Sequence, residues 1–444
     1  MDAKKLEELH QAHVARLTAD TARALRQHGF DALVIHSGTP QKWLQPEDNY
    51  WPLRVTPEFR HWASLSEAGS AIVVEPGRKP RLVRRPEQSF WEAPAPPETD
   101  HFWSSFDVAE VATAEAMRDL MPKGRVAFLG DDVAAAAAWG IVATNPPELV
   151  ATLDQLRVLK TPYEVECIAE ANRRAAAGHE ELRRLFAAAD HSELELHLAF
   201  LGATKQDDWE TPYKNIVALG PHAATLHHVS YAKRAQPAQS LLLDAGAAFA
   251  GYCSDVTRTW VKGAGASASA FAHLVSQVEA MQQRLCAQAH VGLHYEALHD
   301  ESHRQVGGIL REVGVVKRSA DDAVASGVTR AFYPHGLGHS LGLQVHDVGC
   351  ATVKPRPENP FLRNTTVIAE RQCFTIEPGI YFIDSLLRPL REEPHARDVD
   401  WKLVDALAAF GGVRIEDDVV VHADGLRNLT REVLPQGGGQ IGAA

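Results

Sequence analysis

Four carboxylates and one imidazole in this chain have the types and surroundings of metal ligands. They lie in the segments LLLDAGAAFAGYCSDVTRTW, PHGLGHSLGLQVHD, FTIEPGIYF and GVRIEDDVVV, and are Asp244, Asp255, His339, Glu377 and Glu416. Acids that converge on one buried point repel each other and resist ionisation. Two divalent cations would neutralise the four carboxylates, so the set predicts a metal centre.

The first two acids flank a predicted hairpin. LLLD is typical of a buried strand that ends in an acid, CSDVTRTW is typical of a second strand, and Gly246 and Gly251 suit the turn between them. An antiparallel hairpin of this length brings Asp244 and Asp255 side by side. The pair alone is equally compatible with one surface acid and one turn acid.

The segment FYPHGLGHSLGLQVHDVG is more specific because it contains three histidines among glycines. His335 and His339 are four residues apart, as on a zinc-binding helix, but Gly336, Gly338 and Gly342 each disfavour a helix by about 1 kcal/mol relative to alanine. The sequence predicts an irregular or extended backbone here. Such a backbone lets His335, His339 and His346 approach one cleft.

The last two acids follow apolar strands. Glu377 ends one strand directly before Pro378 and Gly379, where the backbone turns. Glu416 and Arg414 are two residues apart, which places them on the same strand face. If exposed, they would form a weak ion pair, but apolar residues flank them on both sides. Oxygen-rich ligation with one imidazole suits Mn²⁺, Co²⁺ or Zn²⁺. Paired cations of this kind support hydrolysis.

The elements that position these residues form two domains of different character. Residues 2–28 predict a helix, and DALVIHSG, SAIVVEPG, RLVRR and GRVAFLG predict strands, with a helix at 108–121. We place the boundary near residue 156, giving an N-terminal α/β domain (1–156) and a C-terminal domain (157–444). The second domain has predicted helices at 163–187, 191–203, 266–290 and 295–313, and strand-rich segments from 330 onward. The fold class is therefore α+β.

The composition and net charge of the chain limit the classes of molecule that it is expected to bind. The chain has 444 residues, 45% of them hydrophobic and 23% charged, with a net charge of −12. An acidic chain of ordinary globular composition argues against nucleic acid or an anionic membrane as a partner. The charged N-terminus does not resemble a signal peptide, the apolar stretch at 133–144 is too short to span a bilayer, and the five cysteines show no CxxC pair. We expect a cytoplasmic location.

The ligand segments resemble those of the pita-bread metallopeptidases, which include methionine aminopeptidase, aminopeptidase P and prolidase. Along its whole length the chain is similar to bacterial Xaa-Pro dipeptidases (prolidases) and to the related organophosphorus acid anhydrolases. LRVLKTPYEVECI, ETPYKNIVALGPHAATLHH and HSLGLQVHDVG support the likeness. The ligand positions all follow the family pattern. His228, where the family pattern leads us to expect tyrosine after His227, departs from it.

The resemblance implies a role for each residue. Asp244 would bind one metal through both oxygens, Asp255 and Glu416 would bridge two metals, and His339 and Glu377 would complete the other. A metal-bridging hydroxide would be the nucleophile, Glu377 a proton acceptor and His346 a donor to the tetrahedral intermediate. The implied substrate-binding residues are Tyr213, His227, His335 and Arg414, with the Arg414 fork matching a free carboxylate.

The implied substrate is an Xaa-Pro dipeptide, whose scissile bond is a tertiary amide with no N–H. The implied cofactors are two divalent ions per subunit, Mn²⁺ first and Co²⁺ or Zn²⁺ next. The family also implies a homodimer formed through the N-terminal domain, which helps to close the substrate pocket.

Two alternatives stay open, and a third is disfavoured. An aminopeptidase P-like exopeptidase shares every ligand but accepts longer peptides. An organophosphorus acid anhydrolase uses the same centre to attack phosphorus, and we expect this as a side activity. A metal-free pita-bread binding module would lack ligands, whereas all five are present here.

Overall fold

The computed structural model describes residues 2–44, 49–86 and 96–442, without the side chain of Ala114. The chain divides into two compact units. The N-terminal unit comprises residues 1–167 with 249–252, and the C-terminal unit comprises residues 168–248 with 253–444.

The N-terminal unit is an α/β structure built on one mixed six-stranded sheet. Its elements are α1 (Ala3–His28), β1 (Ala32–His36), α2 (Pro57–Arg60), β2 (Ala71–Val74), β3 (Arg81–Arg84), β4 (Asp107–Glu110), α3 (Ala114–Asp119), β5 (Val126–Leu129), α4 (Val133–Ala138), β6 (Ala143–Thr144) and α5 (Pro147–Val158). The strand order in the sheet is β4-β3-β2-β1-β5-β6, with β1 parallel to β5 and antiparallel to β2.

Alternate residues of the central strands enter different hydrophobic clusters, as the period of two requires. Leu33 and Ile35 belong to one cluster with Leu25 of α1, whereas Val34 belongs to a second cluster with Met117 of α3. The predicted strands and the first helix are confirmed. The predicted helix at 108–121 is wrong in its first part, because residues 107–110 pair in parallel with β3. Ladder pairing in the tertiary structure therefore overrides the local helical pattern.

After α5 the chain forms further α-helices and β-strands, with the helices packed on small sheets. They are α6 (Pro162–Ala188), α7 (Glu193–Thr204), β7 (Ile216–Leu219), β8 (Ser240–Asp244), β9 (Ala248–Phe249), β10 (Tyr252–Cys253), β11 (Thr257–Val261), α8 (Ala266–Gln288), α9 (Tyr295–Glu312), α10 (Ala320–Ala325), α11 (Val328–Phe332), β12 (Cys373–Ile376), β13 (Gly379–Tyr381), α12 (Asp384–Glu392), α13 (Trp401–Ala408), β14 (Gly412–Arg414), β15 (Asp417–His422), β16 (Gly425–Asn428) and β17 (Gly438–Gln440).

Three sheets of the C-terminal unit position the predicted ligands. Their strand orders are β17-β11-β8-β7, β12-β15-β16 and β13-β14. The four helices predicted for residues 157–444 are confirmed as α6 to α9. The prediction of strands from 330 to the end is only partly right, because α12 and α13 lie between β13 and β14 and bury Leu387, Leu390, Val404 and Leu407 against the core.

The architecture is thus α+β, with mixed secondary structure in both units. Within the residues described, no helix has the length and hydropathy that crossing a bilayer requires.

Candidate metal centre

Asp244 and Asp255 are brought together by an antiparallel strand pair. β8 ends at Asp244, which lies opposite Thr257, the first residue of β11. Asp255 precedes β11, and its backbone N–H donates to Asp418 Oδ2 at 3.0 Å. The intervening turn requires Gly246, since a Cβ there would lie 2.0 Å from the carbonyl oxygen of Ser254. The predicted hairpin is confirmed.

The hydroxyl of Tyr213 lies between the two acids. It is 2.7 Å from Asp244 Oδ1 and 2.6 Å from Asp255 Oδ1. A hydroxyl carries one hydrogen, so both contacts are hydrogen bonds only when one carboxylate is protonated. Burial raises the pKa of Asp244 to about 6, against the lowering effect of Arg414. The pair therefore holds a proton more readily than two exposed acids.

His339 lies in an irregular segment, as predicted, and not in a helix. Gly338 allows the backbone to approach β12 closely, since a Cβ there would lie 2.2 Å from the carbonyl oxygen of Thr375. Thr375 N–H donates to the His339 carbonyl at 2.9 Å, and His339 N–H donates to Thr375 Oγ1 at 3.2 Å. These contacts fix the histidine beside the strand that leads to Glu377.

The ring of His339 has the orientation of a metal ligand. Its Nδ1 lies 3.0 Å from the carbonyl oxygen of Ser340, which leaves Nε2 to face Asp255 Oδ2 at 3.3 Å and Glu377 Oε1 at 3.7 Å. Metal-binding histidines usually direct the second nitrogen at a carbonyl or carboxylate in this way. Burial lowers the pKa of His339, but Asp255 and Glu377 raise it to about 9.

Glu377 and Glu416 lie at the same end of the antiparallel strand pair β12–β15, in which Ile376 is opposite Asp417. Glu377 follows β12, and its N–H donates to the carbonyl of Leu337 at 2.8 Å. Glu416 lies between β14 and β15, and Thr257 Oγ1 donates to its Oε2 at 2.6 Å. The same Thr257 oxygen is 3.2 Å from Arg414 Nε. Arg414 and Glu416 therefore point to the same side of the strand, in line with their spacing.

The acids of the centre do not tolerate full ionisation together. Burial, reinforced by Asp255, Glu377 and Asp244, raises the pKa of Glu416 well above its usual value. Burial also raises the pKa of Glu377 to about 7. Burial alone would raise the pKa of Asp255, but the hydrogen bond and charge of His339 hold this pKa below its usual value. This pattern is that of a site that requires additional positive charge.

The donor set fits a divalent cation. One ligand atom from each of Asp255, His339 and Glu416 lies within 4.8 Å of the others, and all three residues are buried. Asp244 reaches this group through Tyr213, and Glu377 reaches it through His339. Carboxylate oxygens with one imidazole match Mn²⁺, Co²⁺ and Zn²⁺ rather than a thiolate-binding metal.

A profile of metallopeptidase family M24 matches residues 166–423, the range that contains all five predicted ligands. The chain belongs to metallopeptidase family M24. A second profile, the N-terminal domain of Xaa-Pro dipeptidase, matches residues 8–155 of this M24 chain.

Curated relatives match the M24 chain over nearly its full length. An Xaa-Pro dipeptidase of Pseudoalteromonas atlantica is 38% identical over 97% of this chain and 99% of its own. An Xaa-Pro dipeptidase of Marinobacter nauticus is 41% identical over 96% of this chain and 98% of its own.

Solved structures share the fold at lower identity. Proline aminopeptidase P II from Yersinia pestis has a TM-score of 0.70 and 19% identity, covering 98% of each chain. Aminopeptidase P from Pseudomonas aeruginosa has a TM-score of 0.70 and 21% identity, covering 96% of this chain and 95% of the other.

Beside the predicted ligands, a series of hydrogen bonds joins two predicted substrate-binding residues. His335 Nδ1 lies 2.8 Å from the carbonyl oxygen of Gly336, and its Nε2 lies 2.8 Å from the hydroxyl of Tyr381. Arg414 Nη1 donates to the same hydroxyl at 2.9 Å. Burial, then the charge of Arg414, lowers the pKa of His335 to about 3. The ring is therefore neutral, and its Nε2 accepts from Tyr381.

His346 and His227 lie near this group. The His346 ring is 4.4 Å from that of His339, centroid to centroid and edge to face. Burial lowers the pKa of His346 to about 4, with further contributions that include His339 and, less strongly, His227. His227 also contributes to the lowered pKa of His335. The side chain of His227 is exposed.

Three contacts of the centre have no sequence motif of their own. Tyr381 links His335 to Arg414, Thr257 links Arg414 to Glu416, and Asp418 accepts the N–H of Asp255. Asp418 is an acid in IEDDVVV, and Tyr381 is the next-to-last residue of FTIEPGIYF. Their proximity to the predicted ligands in sequence is the only signal that could have suggested them.

Proposed function

We propose that this M24 metallopeptidase hydrolyses Xaa-Pro dipeptides. The supporting observation is that Arg414 and His335, joined through Tyr381, lie beside a cluster of carboxylates and one imidazole. At one edge of this cluster, the guanidinium of Arg414 suits the carboxylate of a C-terminal proline. The neutral imidazole of His335 suits its ring. Relatives named Xaa-Pro dipeptidase, at 38% and 41% identity, support the same substrate.

Arg414 is the proposed anchor for the substrate carboxylate. Its planar fork can bind that group through two hydrogen bonds. In this structure Nη2 donates to Asp244 Oδ2 at 2.6 Å and Nη1 donates to Tyr381. Substrate binding through Arg414 therefore competes with, or adds to, these two contacts. Tyr213 and His227 are the further residues we assign to substrate binding.

Glu377 and His346 are the proposed catalytic residues. When bound, the cations activate water and polarise the scissile carbonyl. Glu377, whose Oε1 lies 3.7 Å from His339 Nε2 within the proposed ligand cluster, is placed to accept a proton from such a water. His346 can donate a hydrogen bond to the oxygen that becomes negative during the reaction. Removal of one such donor typically lowers kcat about 10²–10³-fold.

We propose two divalent cations per chain, with Mn²⁺ the first choice and Co²⁺ or Zn²⁺ next. Asp244, Asp255, His339, Glu377 and Glu416 would hold them. Adding each metal separately to metal-stripped protein, with Ala-Pro as substrate, tests the choice. The proposal of a two-metal hydrolase fails if metal-free protein keeps full activity.

Substrate length decides between a dipeptidase and an aminopeptidase P. We expect a higher kcat/KM for Ala-Pro than for Ala-Pro-Ala, because a carboxylate anchor at the proline leaves no place for a further residue. A preference for the tripeptide would refute the assignment. The same comparison should include a phosphotriester. We expect its kcat/KM to be lower than that of Ala-Pro.

We also propose a cytoplasmic homodimer, with residues 1–156 as the dimerisation domain and residues 157–444 as the catalytic domain. The resemblance to the prolidase family supports this organisation. Light scattering on the purified chain tests it, and a monomer at micromolar concentration would contradict it.

A further inference from the structure

A second group of potential ligands lies outside the catalytic centre. Glu193 is the first residue of α7, and His222 and His228 belong to the segment that follows β7. One ligand atom from each of the three lies within 4.8 Å of the others. We name this group the loop site. It shares no residue with the five ligands described above.

The loop site is built around the buried Glu193 carboxylate. His222 Nδ1 lies 2.6 Å from Glu193 Oε1, and His228 Nε2 lies 2.9 Å from Oε2. The N–H groups of Leu219 and Ala232 donate to the same two oxygens at 3.0 and 2.8 Å. Burial alone would raise the pKa of Glu193, but these hydrogen bonds hold it below its usual value. Glu193 is therefore a carboxylate anion.

The two rings converge on this anion from the same side. Their centroids are 4.5 Å apart and their planes differ by 26°. The His222 side chain is 41% exposed and that of His228 is 11% exposed, whereas Glu193 is fully buried. The site therefore has an anionic base, two imidazole nitrogens above it and access from solvent through His222.

We propose that the loop site binds one Zn²⁺ ion. Two imidazoles and one carboxylate form an established zinc-binding set, with zinc–nitrogen distances of about 2.0–2.1 Å. Imidazole also favours Zn²⁺ over the harder Mn²⁺. The ion replaces the hydrogens between the rings and Glu193, and each ring then carries its proton on the other nitrogen. The bonds from Leu219 and Ala232 stay in place and orient the carboxylate.

Among the described residues, a third group of potential metal ligands consists of His13, His61 and Glu164. This group is less suited to bind a metal ion. Both ring nitrogens of His13 are already hydrogen-bonded, to Thr161 Oγ1 at 2.9 Å and to the His61 carbonyl at 2.7 Å. All three residues of that group are buried. The loop site differs in having an accessible ring.

Zinc at the loop site would also affect a neighbouring residue that we assign to substrate binding. His228 is next to His227, which we assign to substrate binding, so an ion at the loop site would fix the backbone that carries His227. The zinc site itself does not depend on the proposed substrate. It is a structural or regulatory site in addition to the catalytic metals.

Zinc stoichiometry tests the inference. Mn²⁺-loaded wild type, His228→Tyr and His222→Asn are equilibrated with Zn²⁺, desalted and analysed for zinc and manganese. Tyrosine and asparagine can still donate to Glu193 but supply no imidazole. We expect the wild type to bind one more zinc per chain than either variant. Exchange at the catalytic centre is common to all three and cancels in the comparison.

Thermal unfolding gives a second readout. Added Zn²⁺ should raise the Tm of the Mn²⁺-loaded wild type more than that of either variant. Equal zinc content and equal Tm shifts in the three proteins would overturn the proposal. Turnover of Ala-Pro with Mn²⁺ alone checks that the variants are folded. Because zinc is counted without substrate, failure of the dipeptidase assignment would leave the zinc result unaffected.

Discussion

The Nη2 atom of Arg414 lies 2.6 Å from Oδ2 of Asp244, so the proposed substrate anchor touches a proposed metal ligand. The two residues are 170 positions apart in the chain. Arg414 also reaches Tyr381, and Asp244 also reaches Tyr213. One guanidinium group therefore joins the proposed substrate-binding residues to the proposed metal ligands, and substitutions at Arg414 should affect both substrate recognition and metal binding.

Replacing Arg414 by lysine should weaken recognition of the substrate carboxylate. The wild type should favour Ala-Pro over Ala-Pro amide about 10–100-fold in kcat/KM, the range expected for one hydrogen-bonded charge pair. Arg414→Lys should lose most of this preference, because an ammonium group cannot form the two-pronged contact. Metal content, measured in parallel, reports the effect on Asp244.

Arg431→Lys is the matched control. Arg431 is also largely buried and donates to Asp417 Oδ2 at 2.7 Å, but it contacts none of the proposed ligands in its ion pairs with Asp417 and Glu279. This variant should keep the preference for the free carboxylate. An unchanged preference in Arg414→Lys would rule out the anchor role.

Tyr381→Phe should impair catalysis while leaving the metal ligands in place. The change removes the hydroxyl that His335 Nε2 and Arg414 Nη1 share, leaving both groups without that partner. An unmade buried hydrogen bond costs about 1–3 kcal/mol of stability. We expect a lower Tm and a higher KM for Ala-Pro, with metal content close to that of the wild type.

Tyr163→Phe separates stability from function. Its hydroxyl lies 2.9 Å from His101 Nε2 in the N-terminal unit, so the same kind of buried contact is lost there. This control should lower Tm without raising KM. Equal kinetic effects in the two variants would mean that Tyr381 acts through general stability alone.

Glu416→Gln should remove metal and nearly all turnover. Glutamine keeps the shape and can still contact Thr257, but it supplies no negative charge to a cation. Metal at about 100 times its dissociation constant stabilises a protein by about 2.7 kcal/mol. We therefore expect the metal-dependent rise in Tm to shrink in the variant, together with the metal content from elemental analysis.

Asp417→Asn is the control at the next position. Asp417 is as fully buried as Glu416, but its carboxylate faces Arg258 at 2.9 Å and Arg431 at 2.7 Å. Loss of this pair should destabilise the chain, yet the variant should retain metal. If Glu416→Gln bound metal as the wild type does, Glu416 would not be a ligand.

Acid should destabilise the N-terminal unit between about pH 6.5 and pH 4. Burial lowers the pKa of His13 to about 4 and that of His101 to about 4. An unfolded histidine, with a pKa of about 6.5, binds a proton in this window while the folded residue does not. Stability is therefore complete above pH 6.5 and falls as the pH drops, by up to about 1.4 kcal/mol per pH unit for each histidine.

Hydrogen exchange in peptides from α1 measures this effect within the N-terminal unit. Protection should decrease from pH 7 to pH 4.5 after correction for intrinsic exchange rates. The pH dependence should be smaller in His13→Gln, whatever its absolute stability. An equal pH dependence in both proteins would exclude His13 as a source of the effect.

The sequence predicted turns, strands and irregular backbone correctly where these depend on interactions between residues that are close in the chain. The β8–β11 hairpin follows from alternating apolar runs with glycine turns, and the irregular backbone at His339 follows from its glycines. The helix at 108–121 was partly mispredicted because pairing of β4 with β3 depends on a strand more than twenty residues earlier. Local periodicity carries no information about that partner.

By itself, then, the sequence determined the donor types, their order and their positions at strand ends or in a glycine-rich segment. Only the tertiary structure decided that Tyr381 lies between His335 and Arg414, and that Arg414 contacts Asp244. It likewise decided that His222 and His228 share Glu193. Such contacts join residues from separate strands, helices and loops, so they are set by how those elements pair and pack and not by residue spacing along one of them.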